Sequence, residues 1–128
     1  MQLFLNYFLI YNIAMTEHQE QVITIKWFRL QYPKLSNCLW AIPNGGVRNI
    51  GTAIKLKSEG VLAGVPDLFL MIPKNGFHGL FIEMKIKSGK LQPNQKEFMK
   101  LANALAYKSV VCYGFEEAKK VISDYLKD

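Results

Sequence analysis

The dipeptide Asn75-Gly76 limits most tightly what this chain can fold into, because it sits between two strings of alternating apolar residues. An Asn-Gly pair adopts the positive φ angles of a type I′ turn at little cost, and such a turn joins neighbouring antiparallel strands. Residues 67–72 predict one strand, with Asp67, Phe69 and Met71 on one face and Leu68, Leu70 and Ile72 on the other. Residues 79–86 predict the return strand, with Phe81, Glu83 and Lys85 opposed to Leu80, Ile82, Met84 and Ile86. Three charges beside Phe69, Met71 and Phe81 need a reason, since burying an unpartnered charge is costly.

The remaining pattern places this hairpin in a mixed sheet. Thr16 with Gln19 forms a capping box, and Val22, Ile25, Phe28 and Arg29 follow at helical spacing up to Tyr32-Pro33. A short strand is expected at 39–42, broken by Pro43-Asn44-Gly45-Gly46, and a modest helix at 49–59, ending at Gly60. Pro93 opens a helix over 94–107 with Phe98, Leu101, Ala102 and Leu105 inward. A buried strand at 109–113 and an amphipathic helix at 115–126 complete the order αβ(α)ββαβα. The fold class is α/β, an α+β mixed sheet flanked by helices.

With 128 residues, half of them hydrophobic, the chain suits a single domain. Residues 1–14 carry no charge, and eleven are apolar; they lack the basic start of a secretory signal and the length of a membrane span. They are expected to be an extension outside a domain of residues 15–128, and no membrane partner is expected. Cys38 and Cys112 stand alone, without metal-ligand spacing, which fits buried thiols in a cytoplasmic protein. The net charge is +6, and residues 26–108 hold thirteen Lys or Arg against Glu59, Asp67, Glu83 and Glu97. A polyanionic partner fits that balance.

Taken singly, a Glu-x-Lys in a strand is more often a solvated face, and an Asp after Pro a turn residue. Their joint placement on two adjoining strands suits a hard divalent cation such as Mg²⁺, held by carboxylates and waters. Such an ion assists phosphodiester hydrolysis, with Lys85 positioning the attacking water or offsetting developing charge.

Pro66-Asp67 followed by Glu83-Met84-Lys85 resembles the signature of the PD-(D/E)xK nuclease superfamily. Five further segments narrow the resemblance to its virus-type replication-repair nuclease branch, VRR-NUC: Glu17 with Gln21; Ala41-Ile42-Pro43-Asn44-Gly45; Gly64-Val65-Pro66-Asp67-Leu68; Gly79-Leu80-Phe81-Ile82; and Leu91 with Gln95. The resemblance runs from Met15 onward and implies a restriction-endonuclease-like core. It implies Mg²⁺ or Mn²⁺ held by Asp67, Glu83, the Met84 carbonyl and Glu17, with Lys85 serving the attacking water. Glu20 competes with Glu17 as the helix carboxylate, and Glu17 alone is otherwise a favourable charge at a helix start. Gln95 is expected to orient Lys85 or a phosphate. Asn44, Gly45, Arg48, Lys55, Lys57 and Lys87 are the expected substrate contacts, with Lys90, Lys96 and Lys100 nearby. The implied activity is endonucleolytic cleavage of DNA, structured or branched, in phage replication or repair, by a homodimer. The alternative is a nucleic-acid-binding module of the same fold without turnover.

Overall fold

The computed structural model describes residues 2, 3, 5, 6, 14–43 and 49–128. Asn44, Gly45 and Arg48, three of the expected substrate contacts, lie outside the described residues. The elements are α1 (Glu17–Gln31), a 3-10 turn (Pro33–Cys38), β1 (Leu39–Ala41), α2 (Ile50–Ser58), β2 (Leu68–Leu70), β3 (Leu80–Lys85), α3 (Pro93–Ala104), β4 (Lys108–Tyr113) and α4 (Phe115–Leu126). The strands form one sheet in the order β1-β2-β3-β4, antiparallel across the first two pairs and parallel between β3 and β4.

Local chemistry accounts for the element ends. Thr16 Oγ1 accepts from Gln19 N–H at 3.1 Å while Gln19 Oε1 accepts from Thr16 N–H at 2.9 Å, the expected capping box. Asn49 caps α2 by accepting from Thr52 N–H at 2.7 Å. Asn75 and Gly76 take φ angles of 52° and 83°, so the turn between β2 and β3 forms as the dipeptide predicts.

One face of the sheet carries Leu39, Leu68, Leu70, Leu80, Ile82, Met84 and Cys112, packed against α1 and α4. Helix α1 contributes Ile23, Trp27 and Phe28 to this core, and α4 contributes Phe115, Ala118, Ile122 and Tyr125. The stripe on α1 therefore differs from the expected Val22, Ile25, Phe28 and Arg29. Apolar residues stand on several sides of this helix, so spacing alone fits more than one register, and packing against α4 selects Ile23, Thr24, Trp27 and Phe28. Leu5 and Met15 also pack against the core.

The opposite face carries an aromatic row. Phe69 and Phe81 lie with ring centroids 4.5 Å apart, and Phe98 of α3 covers Phe81 edge-on at 5.1 Å. Ala102 is buried beneath α3, whereas Leu101 and Leu105, expected inward, are exposed. Helix α3 ends at Ala104, and Ala106 turns to φ 64°, so the last predicted turn of the helix does not form.

Gly64 fixes the approach to β2. Its φ is 95°, and a Cβ there would stand 2.5 Å from the Asn94 carbonyl oxygen in the first turn of α3. The loop before Pro66-Asp67 thus lies directly on the helix, a contact that only glycine permits. Gly64→Ala is expected to cost about 2 kcal/mol or more, lowering the melting temperature by roughly 8 °C. An unchanged melting curve by circular dichroism would show that the loop is free of α3.

Candidate active site

The carboxyl cluster arises where the ladder between β2 and β3 opens. Asp67 directly precedes β2, and its backbone carbonyl accepts from Ile42 N–H at 2.8 Å, which continues the pairing with β1. On the other side its side chain replaces the ladder, since Asp67 Oδ2 accepts from Met84 N–H at 2.7 Å. Glu83 follows on β3 with only 4 % of its surface exposed. Lys85, two residues on and therefore on the same face, holds Nζ 3.9 Å from Glu83 Oε1. The structure brings Asp67, Glu83 and Lys85 together as the strand alternation predicts.

Gln95 supplies the third wall of the site. It does not bond Lys85; its Nε2 donates to Glu83 Oε1 at 2.9 Å, while its Oε1 accepts from Gln92 N–H at 2.8 Å. One amide thus closes the first turn of α3 and fixes the orientation of the buried carboxyl. Sequence spacing put Gln95 near the site but contained no signal for which side chain it would meet.

The helix carboxylates separate in space. Glu17, exposed at the start of α1, lies near enough for its charge to act on Glu83. Glu20 is engaged elsewhere: its Oε2 accepts from Phe115 N–H at 2.6 Å and caps the N-terminus of α4. That contact joins residues 95 positions apart, which explains why no local pattern announced it.

Burial and the neighbouring Asp67 charge drive the Glu83 carboxyl up to about 8; Lys85 opposes this, while a hydrogen bond with Asp67 and the Glu17 charge add to it. Two carboxyls in hydrogen-bonding contact tolerate each other only with a proton or a cation between them. The donor set therefore fits a hard divalent ion, which takes one or two carboxylates and retains water. Among the described residues no three His, Cys, Asp or Glu side chains are grouped closely enough to hold an ion unaided. A two-carboxylate site completed by a backbone carbonyl and water is compatible with that.

The expected lysines are more dispersed. Lys87 is exposed beside a cavity of about 340 Å³ past the ends of β3 and β4, lined also by Met15, Glu20, Ile86, Tyr113 and Gly114. Lys55 and Lys57 are exposed on α2, where Lys55 pairs with Glu59 at 4.0 Å, and α2 buries none of its residues. Lys90, Lys96 and Lys100 are exposed around α3.

The Glu83 carboxyl has an immediate pH consequence. Its folded value lies above the ordinary value of 4.5, so folding favours the protonated form, and that stability fades as pH rises from 4.5 through about 8. In EDTA, Glu83→Gln is expected to melt at least about 4 °C above the parent at pH 9 and to lose that advantage at pH 4. A gain of equal size at both pH values would show that Glu83 is not a strained carboxyl.

The VRR-NUC domain model of known families matches residues 10–116. A solved VRR_NUC domain protein superposes with a TM-score of 0.79 at 31% identity, covering 88% of this chain and 89% of its own. Among curated proteins, none matches significantly. The match begins at residue 10 and so includes the last residues of the apolar N-terminal segment. With a matching family model across most of its length and a related fold of the same kind, this chain belongs to the VRR-NUC domain family, a family of nuclease type.

Proposed function

We propose that this chain is a Mg²⁺- or Mn²⁺-dependent nuclease that hydrolyses DNA phosphodiester bonds. The observation that carries the reading is the buried Glu83 carboxyl, in contact with Asp67 and 3.9 Å from Lys85, at the open end of the β2–β3 ladder. Asp67 and Glu83 would hold the ion, with the Met84 carbonyl and Glu17 completing the protein's share. When bound, the ion supplies Lewis acidity to a phosphoryl oxygen and to water. Lys85 aligns the attacking water by donating to its oxygen and offsets the negative charge that builds on the phosphoryl group. Gln95 keeps Glu83 in a single orientation through the approach of the substrate.

The finer reading is endonucleolytic cleavage of structured or branched DNA, in phage replication or repair, by a homodimer. Family resemblance supports it, as do the apolar residues Ile50, Ile54 and Leu62 exposed on and after α2, which suit burial against a second copy. No helix among the described residues is long and apolar enough to cross a membrane. The family resemblance makes a nucleic acid the polyanion proposed for this basic chain.

Supercoiled plasmid and a four-way junction, each incubated with Mg²⁺, Mn²⁺ or EDTA, test the proposal. Cleavage is expected with either ion and none in EDTA, and Asp67→Ala and Lys85→Ala should each lower the rate by roughly 10²-fold or more. Cleavage that survives Asp67→Ala or EDTA would overturn the site; binding without cleavage by the parent would leave the module reading. If about four to six lysines meet phosphates, log affinity should fall against log salt with a slope of roughly −4 to −5. A flat salt dependence would remove DNA as the partner.

A further inference from the structure

The sheet face that carries the carboxyls also carries one aromatic ring open to solvent. Pairing of β1 with β2, and of β2 with β3, sets Trp40 opposite Phe69 and Phe69 opposite Phe81. The row Trp40, Phe69, Phe81 runs across three strands, with ring centroids 5.4 Å and 4.5 Å apart. Two residues along lies the row of Ile42, Asp67 and Glu83, about 7 Å away at the spacing of an extended strand and on the same face. Inside the sheet the aromatic row is covered, since Phe81 meets Phe98 at 5.1 Å and Tyr107 at 5.6 Å. At the edge it is not: Trp40 is 42% exposed, and the neighbouring Met71 is exposed as well.

A single exposed apolar residue requires no explanation. Trp40 differs in two respects. Its indole is fixed, edge-on at 71° against Phe69, so it presents a surface of set orientation. It also stands two residues along and one strand over from Asp67, and two strands over from Glu83, about 8 and 12 Å at ordinary strand spacings, which one to two nucleotides span. Every nucleobase has a flat face that stacks on an aromatic ring whatever its sequence. A base inside an intact duplex is already stacked and must be extruded before it can reach such a ring.

We infer that Trp40 is a stacking platform for an unpaired nucleobase next to the cleaved phosphodiester, which makes the site selective for DNA with unpaired nucleotides over intact duplex. The inference rests on the nuclease reading above and names the substrate class of that site. The basic charge of the chain brings the strand to the protein, and Trp40 supplies the discrimination between paired and unpaired DNA.

The chain has two tryptophans, and Trp27 is in the core, so the difference in emission between the parent and Trp40→Phe isolates Trp40. The protein is titrated, with Ca²⁺ as the ion, with single-stranded oligothymidylate, the same strand carrying abasic sugar-phosphates, and a duplex of equal length; gels confirm that the DNA stays intact. Single-stranded DNA is expected to quench Trp40, and the abasic strand to quench it little. Trp40→Ala should weaken single-strand binding by about tenfold and leave duplex binding within about twofold, with Trp40→Phe restoring most of the loss. Equal losses on both forms of DNA would overturn the platform. So would Trp40 emission that changes when the protein is diluted without DNA, an outcome that assigns this face to a second copy of the chain. The nuclease reading fails separately: quenching without Asp67-dependent cleavage in Mg²⁺ keeps the platform and discards the nuclease, and cleavage without quenching does the reverse.

Discussion

Glu83 is nearly dehydrated, hydrogen-bonded to a second carboxyl and flanked by a lysine, and the structure around it is organised to hold that costly arrangement. Desolvation of a carboxylate opposes its ionisation, and a neighbouring carboxylate adds to the opposition. What keeps Glu83 in place is the strand that carries it. Leu80, Ile82 and Met84 alternate with Phe81, Glu83 and Lys85, and the first set is buried against α1 and α4. Rotating Glu83 toward solvent would expose three large apolar side chains, each worth about 1.5–3 kcal/mol of burial. The core on one face thus stabilises the strain on the other.

The amide of Gln95 shows how narrowly the site is specified. An amide has one accepting oxygen and one donating nitrogen, and the Gln92 N–H takes the oxygen. Only the NH₂ group is left for Glu83, so Gln95 must donate to it. A glutamate at this position would keep the helix cap and turn a second carboxylate on Glu83. Helix propensity does not distinguish the two residues strongly; the buried carboxyl does. Gly64 extends the same logic to the other strand, because its lack of a Cβ lets the loop before Asp67 rest on the Asn94 carbonyl at the start of α3. Both Asp67 and Glu83 are therefore referenced to one helix end.

Much of this was legible in the sequence wherever a local rule acts within a few residues. The Thr16 capping box, the Asn75-Gly76 turn and the final helix Phe115–Leu126 follow from caps, turn chemistry and periodicity, and alternation alone put Glu83 and Lys85 on one face. What was not legible depends on partners distant in the chain. Glu20 and Glu17 are equivalent as helix-start acids until α4 arrives and claims Glu20 through the Phe115 N–H. Leu101 and Leu105 fit an inward stripe, but α3 turns Phe98 and Ala102 toward the sheet, which leaves Leu101 on its outer side and Leu105 beyond the helix end at Ala104. The 3-10 turn Pro33–Cys38 has no hydrophobic period to read; it starts at Pro33, which cannot continue α1, and ends where Leu39 enters β1.

Three helix starts converge on the carboxyl end of β3, and their occupancy bears on how a polyanion meets this site. Glu17 begins α1, Gln95 lies in the first turn of α3, and α4 begins two residues after Tyr113, the residue paired with Lys85. Helix N-termini ordinarily attract phosphate through their free N–H groups. At α4 the first of these donors, the Phe115 N–H, is taken by Glu20, and beside it Glu117 takes the N–H of Tyr113 at the end of β4 at 3.0 Å. The positive charge near this end comes from Lys85 and Lys87, against the carboxylates of Glu17 and Glu20 and the crowded pair Asp67 and Glu83. In the proposed reading the bound ion reverses that local balance, so it is needed to dock the DNA backbone as well as to cut it, and binding and chemistry are gated by the same two carboxyls.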